Sequence, residues 1–256
     1  MSDHRIELSV VIACYNEEVE LEDSVRQVVE ILDRTRWAYE IIFVDDCSRD
    51  RTRDIIDALL RRYGDQNFRK LFHEKNTGRG RTVADGMRLA RGETVGYIDI
   101  DLEVHARYIP SMALAIEQGA DVATAHRIYK IQPRLFNRFL LSAGYAWLMR
   151  HLLDVHLKDT ETGFKFFKRA SILPILEQVQ DERWFWDTEV MVRSLLCGYR
   201  IVEIPCLFIR RYDKQSTVNV VRDTLDYLLK LWRFRRVVKQ LRAAQPVDAV
   251  IRPTTE

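Results

Sequence analysis

Cysteine is scarce: four residues in 256, at positions 14, 47, 197 and 206. No two of them form a C-x-x-C pair, and there is no dense framework, so the expected setting is a reduced, cytosolic one. The opening decapeptide MSDHRIELSV lacks the apolar core of a secretion signal. The longest nearly apolar run, FLLSAGYAWLM, falls short of the roughly 20 residues a helix needs to cross a bilayer. The expectation is a protein that does not cross a membrane but can touch one, peripheral on its cytoplasmic face. There is no internal repeat and no low-complexity segment. Acid is missing from two stretches. Val122 to Leu153 has no Asp or Glu but carries Arg127, Lys130, Arg134, Arg138 and Arg150. Tyr227 to Val247 likewise has none, against Lys230, Arg233, Arg235, Arg236, Lys239 and Arg242. Two basic segments in a chain of net charge +2 point to an anionic partner: phosphate, a membrane surface or nucleic acid.

Against these absences stands an ordinary soluble composition, 47% apolar and 30% charged. Short β-branched runs alternate with segments of helical spacing. LSVVIA (8–13), YEIIFVDD (39–46), FRKLFHE (68–74), TVGYID (94–99) and 121–125 read as strands. Residues 18–34, 51–64, 80–91 and about 107–118 read as helices, with Gly64 as a stop. Such alternation predicts an α/β fold with a mostly parallel sheet covered on both faces. Beyond residue 126 the pattern predicts a long, mostly apolar helix at 134–153. A strand at 164–168, helices at 170–179 and 185–197, and two strands around Pro205 follow. A last basic helix spans 216–243, and 244–256 is expected to be a disordered tail. The expected organisation is therefore one domain over 1–215 with that amphipathic helix packed on it or extending from it.

Ligands of open α/β sheets bind beyond the carboxyl ends of the strands. Three polar clusters fall at such ends: Tyr15, Asn16 and Glu17; Asp45, Asp46 and Ser48; Asp99, Asp101 and Glu103. Carboxylates gathered without matching local cations repel one another, and a divalent cation removes the conflict. An all-oxygen set suits Mg²⁺ or Mn²⁺, which is commonly shared with substrate phosphates. A lone D-x-D pair is equally a solvated loop, and Ser48 or Asp50 equally caps the helix that follows. What raises the metal reading is the recurrence of such clusters at successive strand ends. NTGRGRTVADG (76–86) matches neither the dinucleotide fingerprint nor the P-loop, so Gly78 and Gly80 predict only a tight turn.

VVIACYNEE, VDDCSRDRT, NTGRGRTVADGM and DIDLE, in this order, resemble family 2 glycosyltransferases of the GT-A fold. AHR after the fifth strand, DTETGFKFF, RWFWDTEVMVRSLLCGYRIVEIP and RRYDKQST resemble the polyprenol-phosphate (dolichol-phosphate) mannose and glucose synthases within that family. The likeness spans about residues 8–217. It implies that Ala13, Tyr15, Glu17, Val44, Asp46, Arg79 and Ile100 line the nucleotide sugar. It also implies that Asp99, Asp101 and Glu103 hold the metal and the sugar diphosphate. Arg127 and Arg211 meet phosphates of donor or acceptor. Departures are Ala13 for the usual proline, Cys47 for a glycine, Arg79 for a lysine, and Lys214 and Thr217 in KQST for the usual glycine and lysine.

The implied reaction moves a hexose from GDP- or UDP-sugar to a polyprenyl phosphate, with inversion. A phosphate monoester is already anionic and needs cations rather than a base; Arg127, Arg134, Arg138, Lys165, Arg210, Arg211 and Lys214 are candidates. A sugar hydroxyl would need a general base, for which Asp187 and Glu189 are the candidates; Asp101 is catalytic through the metal it is expected to hold. Asp187 and Glu189 are equally the acids expected in a first helical turn. The helix at 134–153 and the last helix are expected at an anionic membrane surface, with core packing or a homo-oligomer contact as the alternatives. The runner-up activity is transfer to a saccharide hydroxyl in surface-polysaccharide assembly. Nucleic-acid binding is disfavoured, because the acids cluster at the strand ends and no such motif is present.

Overall fold

The computed structural model describes residues 5–64, 67–128, 149–210 and 220–244, with backbone alone at 220–225 and 244. Arg134, Arg138, Arg211, Lys214, most of the helix expected at 134–153, and the tail lie outside the described residues.

A seven-stranded sheet has the order β3-β2-β1-β4-β6-β5-β7. The strands are β1 (Leu8–Cys14), β2 (Tyr39–Asp45), β3 (Phe68–Phe72), β4 (Thr94–Ile98), β5 (Val122–Ile128), β6 (Phe164–Lys168) and β7 (Ile201–Leu207). The pairs β1–β2, β1–β4, β2–β3 and β5–β7 are parallel. Strand β6 runs antiparallel between β4 and β5, so the fifth strand in sequence is not β4's neighbour. The two strands expected around Pro205 are one. Pro205 pairs with His126 inside β7, which lies at the sheet edge, where a missing N–H leaves no ladder bond unmade.

Both faces of the sheet are covered, so strand side chains alternate between two apolar clusters rather than between core and water. Leu8, Val10 and Ile12 of β1 join Ile41 and Phe43 of β2 under α1 (Leu21–Leu32), α2 (Thr52–Tyr63) and α4 (Ile109–Glu117). Val11, Ile42 and Val44 face the other way, under α3 (Arg79–Leu89), α5 (Arg169–Leu176) and α6 (Trp186–Leu196). Helix α2 ends where Gly64 takes φ +87° and donates its N–H to Leu60 O at 2.9 Å. Asp50 accepts the Thr52 N–H at 3.0 Å, satisfying a first-turn donor of α2.

The last helix, α7 (Val220–Ala244), is fastened to the body of the fold. Leu231, Phe234 and Val238 are buried with Met149, Leu153, Val155, Phe185 and Val192 in a third cluster. Phe185 meets Tyr227 and Phe234 edge-on, at 5.2 and 5.5 Å between centroids. Lys230 pairs with Asp181 at 2.7 Å, and Arg242 donates to Leu153 O at 2.7 Å. The opposite side exposes Leu229, Trp232, Arg233, Arg236 and Lys239.

Candidate active site

The first and second strand ends are stitched together by their own backbone. Asn16 N–H donates to Ser48 Oγ at 2.9 Å, Glu17 N–H to Thr52 Oγ1 at 2.8 Å, and Arg49 N–H to Asn16 Oδ1 at 2.8 Å. Tyr15 is 41% exposed beside this seam, and Ala13 and Glu17 are half-buried. Asp46 is buried and fully engaged. Its Oδ1 accepts from Thr77 N–H (2.7 Å) and Thr77 Oγ1 (2.9 Å) and lies 3.0 Å from His73 Nδ1; its Oδ2 accepts from Gly78 N–H (2.9 Å). Burial pushes the Asp46 carboxyl up, but these donors outweigh it and hold it below the usual carboxylate range. Asp46, expected to line the nucleotide, instead spends its carboxylate fastening the β3–α3 loop. Val44 and Ile100 were expected there too, but their side chains are buried in the core and leave only backbone for a ligand.

The third strand end carries the acids that motivated a metal. Asp99 has 46% of its side chain exposed. Asp101 and Glu103 are half-buried, and Asp101 Oδ1 accepts Glu103 N–H at 3.2 Å. Among the described residues no three His, Cys, Asp or Glu side chains converge into a preformed cage. The expected Asp99–Asp101–Glu103 triad is therefore not closed.

Around Asp99 lies a buried ion network. Arg79 donates Nε and Nη2 to Asp99 Oδ1 at 3.1 and 2.6 Å, and Nη1 to Asp187 Oδ2 at 2.5 Å. Asp187 Oδ1 accepts from Lys165 Nζ at 2.8 Å and from the Tyr97 hydroxyl. Lys165 also donates to Tyr97 Oη at 2.9 Å and to Thr162 O. Lys165 is wholly buried and Asp187 nearly so. Burial opposes charge on both. Arg79 and Lys165 nonetheless hold the Asp187 carboxyl below its ordinary range, while burial draws the Lys165 ammonium down against the pull of Asp187.

These placements change several expected roles. Asp187 is saturated by cations, so it is not placed as a base. Glu189 stands apart from it, buried, accepting from the backbone of Gln180 (3.1 Å) and Asp181 (3.0 Å) and paired with Arg193 at 2.8 Å. Lys165, expected to meet the acceptor, is spent internally. Arg127 grips Asp159 through Nε (2.6 Å) and Nη2 (3.0 Å), its guanidinium 5.6 Å from the Phe208 ring centroid. Glu161, two residues beyond Asp159 in the same loop, is exposed.

Sequence reasoning passed over Tyr97, Asp159, Gly163 and the role of Lys165. One signal was present: Lys165 is enclosed by phenylalanines on both sides in FKFFK, and a lysine held inside so apolar a strand needs a partner when buried. The glycines of NTGRGRT mean more than a turn. A Cβ on Gly80 would lie 2.4 Å from Trp186 Cβ, and one on Gly78, at φ +100°, 2.6 Å from Glu182 O. They let the first turn of α3 dock on that of α6.

Comparison with known proteins bears on the same residues. The Haloferax volcanii glycosyltransferase AglD is 33% identical over 235 residues, covering 89% of this chain. This chain spans only 37% of that protein's length. A Dictyostelium discoideum dolichyl-phosphate beta-glucosyltransferase is 26% identical over 256 residues, covering 90% of this chain and 77% of the relative. In structure, glucosyl-3-phosphoglycerate synthase from Mycobacterium tuberculosis in complex with UDP superposes with a TM-score of 0.67 at 17% identity, over 90% of this chain and 80% of that one. That likeness establishes the GT-A fold. The Glycosyl transferase family 2 profile covers residues 9–174, from the first strand through the acidic turn after β4 and into α5. The chain belongs to glycosyltransferase family 2.

Proposed function

We propose that this glycosyltransferase moves a hexose, mannose or glucose, from a GDP- or UDP-sugar to a polyprenyl phosphate at an anionic membrane surface, with Mg²⁺ or Mn²⁺ as cofactor. One observation carries the choice of a phosphate acceptor. The acids that could have activated a hydroxyl from α6, Asp187 and Glu189, are buried and saturated, whereas Arg127 is half-buried at the carboxyl end of the sheet. A phosphate oxygen is already nucleophilic, so orientation by cations is the help it needs. Dolichyl phosphate is named in the activity of the Dictyostelium relative.

The donor set fits a divalent cation shared with a diphosphate. It is all oxygen, and Asp99 Oδ2 has its space kept by Gly163, where a Cβ would lie 1.7 Å from it. An open set of one or two carboxylates is what Mg²⁺ uses when phosphates complete its shell. The mycobacterial synthase of the same fold has been crystallised with Mn²⁺ and UDP. Asp99 and Asp101 would hold the ion, whose charge would stabilise the leaving diphosphate. The chain's own residues do the rest. Asp159 fixes the plane of Arg127, and Arg127 orients the acceptor phosphate for attack on the anomeric carbon. On α7, the outward Leu229, Trp232, Arg233, Arg236 and Lys239 join an apolar strip to a basic one, as a lipid interface requires. Among the described residues no helix is long and apolar enough to cross a membrane.

A saccharide hydroxyl acceptor is the second reading, favoured by Glu161, an exposed acid two residues from the Asp159 that Arg127 grips and within the same loop. Labelled UDP-glucose and GDP-mannose, each offered with a short polyprenyl phosphate or an oligosaccharide, separate the two. Asp101→Ala is expected to abolish transfer with an unchanged melting temperature. Glu161→Gln is expected to spare transfer to phosphate. Product only on the oligosaccharide, lost in Glu161→Gln, would reverse the assignment.

A further inference from the structure

We infer that Lys165 and Asp187 are positioning residues, which together with Tyr97 hold Arg79 as a rigid brace on Asp99 and so fix the orientation of the carboxylate proposed to share the metal. The inference rests on the proposed role of Asp99 and assigns to the network a task that none of its members performs on substrate.

The geometry is that of a brace. Arg79 has one edge on Asp99 and its remaining amino group on Asp187, so its guanidinium plane is fixed from both sides. Its faces lie near two rings, Tyr97 at 5.5 Å and Trp184 at 5.8 Å. Asp187 is fixed in turn by Lys165 and Tyr97, and Lys165 by the carbonyl of Thr162. Thr162 immediately precedes Gly163, whose carbonyl accepts the Asp99 N–H at 2.9 Å. The chain of contacts therefore closes on itself: Asp99 side chain, Arg79, Asp187, Lys165, the 162–163 backbone, Asp99 backbone. Asp99 Oδ1 is pinned to Arg79, while Oδ2, which makes no hydrogen bond among the described residues, lies against Gly163.

Charge counting explains why the network can sit in the interior. Two cations, Arg79 and Lys165, face two carboxylates, Asp187 and Asp99. Balanced and hydrogen-bonded, it avoids the penalty of an uncompensated buried charge. Only Asp99 reaches solvent appreciably: 46% of its side chain is exposed against 16% for Arg79, 4% for Asp187 and 0% for Lys165. The buried Lys165 and Asp187 thus cannot meet substrate, and their influence reaches Asp99 through Arg79 on one side and the 162–163 backbone on the other. The docking of α3 on α6 through Gly78 and Gly80 delivers Arg79 to Asp187, 108 residues away in sequence.

Two readouts on the full chain test this. The first is hydrogen exchange at the Arg79 Nε–H by NMR, with no donor or acceptor present. The second is Mn²⁺ affinity, with and without UDP or GDP, from the EPR signal of unbound Mn²⁺. The variants are Asp187→Asn, which is isosteric, and the double variant Lys165→Met/Asp187→Asn, which removes one charge of each sign and keeps the interior balanced. Arg127→Ala is the control. Expected in both test variants are faster Nε–H exchange and Mn²⁺ affinity lower by about tenfold, the loss of one charge-assisted contact. Arg127→Ala should change neither. Unchanged exchange, or Mn²⁺ affinity within about twofold of wild type in the folded double variant, overturns the inference. A wild-type protein that shows the protected Nε–H and the Mn²⁺ response but no transfer to polyprenyl phosphate keeps the brace and refutes the acceptor.

Discussion

Asp46 and Asp187 are both buried carboxylates near the carboxyl ends of the parallel strands, and they are held by different means. Asp46 is held from a single loop: two backbone N–H groups, a hydroxyl and an imidazole, all from residues 73–78. Asp187 is held by side chains from three other elements, Arg79, Tyr97 and Lys165. The first arrangement fixes a loop and depends on one acidic side chain. The second fixes a relation between distant elements and depends on every partner keeping its charge. The half of the molecule around β1 and β2 is built largely in the first way, with Asp50 and Asn16 as further examples, while Asp45 adds an ion pair with Arg53 to its contact with the Ser48 N–H. The half around β5, β6 and α6 is built in the second, with Arg127–Asp159 beside the Arg79 network.

The largest effect that would sharpen this contrast lies in the second half, where α7 closes the body. Phe234 is 6% exposed against Phe185, and Trp232, two residues earlier, is 52% exposed. Phe234→Ala should cost about 3–5 kcal/mol in denaturant unfolding. Trp232→Ala should stay within about 0.5 kcal/mol while lowering binding to anionic liposomes. Equal costs for the two would mean that α7 is not docked as described.

A smaller effect tests the first half. Asp46→Asn offers its four donors only one acceptor oxygen, leaving at least one buried N–H unmet. The expected loss is about 1.5–3 kcal/mol at pH 7. The sign of its pH dependence comes from the depressed carboxyl of Asp46. A group whose pKa is lower in the folded state stabilises above its unfolded value and loses that contribution as pH falls. The gap between wild type and Asp46→Asn should therefore be widest above about pH 4 and narrow as pH falls below it. A difference in urea-unfolding free energy that stays constant between neutral pH and the acid range would show that the carboxylate's charge is not what holds the loop.

The same contrast governs what could be read from the sequence. Alternating β-branched runs fix the strands, and a buried strand that ends in acids is a local signal, so β1–β4 and the Asp99–Glu103 turn were legible. The insertion of β6 antiparallel between β4 and β5 was not, because register between distant strands is a tertiary choice. Pro205 misled for a local reason, since a proline looks like a strand end until the strand is known to lie at an edge. Among the site residues, Asp187 was identified as functional but given the work of a base. Sequence showed its acid without the two cations and the phenol that topology brings to it. Gly163 could not be valued until Asp99 was seen against its α-carbon.

The smallest predicted effect concerns a residue that departs from the family pattern. Cys47 takes φ +65°, where a side chain is unfavourable and glycine is not. It comes directly after Asp46, and its thiol reaches Glu74 O at 3.5 Å, a weak contact across the same loop. Cys47→Gly removes the steric cost at that φ but frees the unfolded chain, and the two terms oppose each other. The left-handed penalty is about 1–2 kcal/mol, and the extra backbone entropy of glycine is about 0.5–1 kcal/mol. The net expectation is a stabilisation of about 0.5 kcal/mol, seen as a rise of a degree or two in melting temperature. Cys47→Ala, which keeps the Cβ and loses only the thiol contact, should be neutral or slightly destabilising. If Cys47→Gly lowers the melting temperature more than Cys47→Ala does, the Asp46 loop draws more from that thiol than from relief of its backbone, and backbone bonding is not the whole account of the half around β1 and β2.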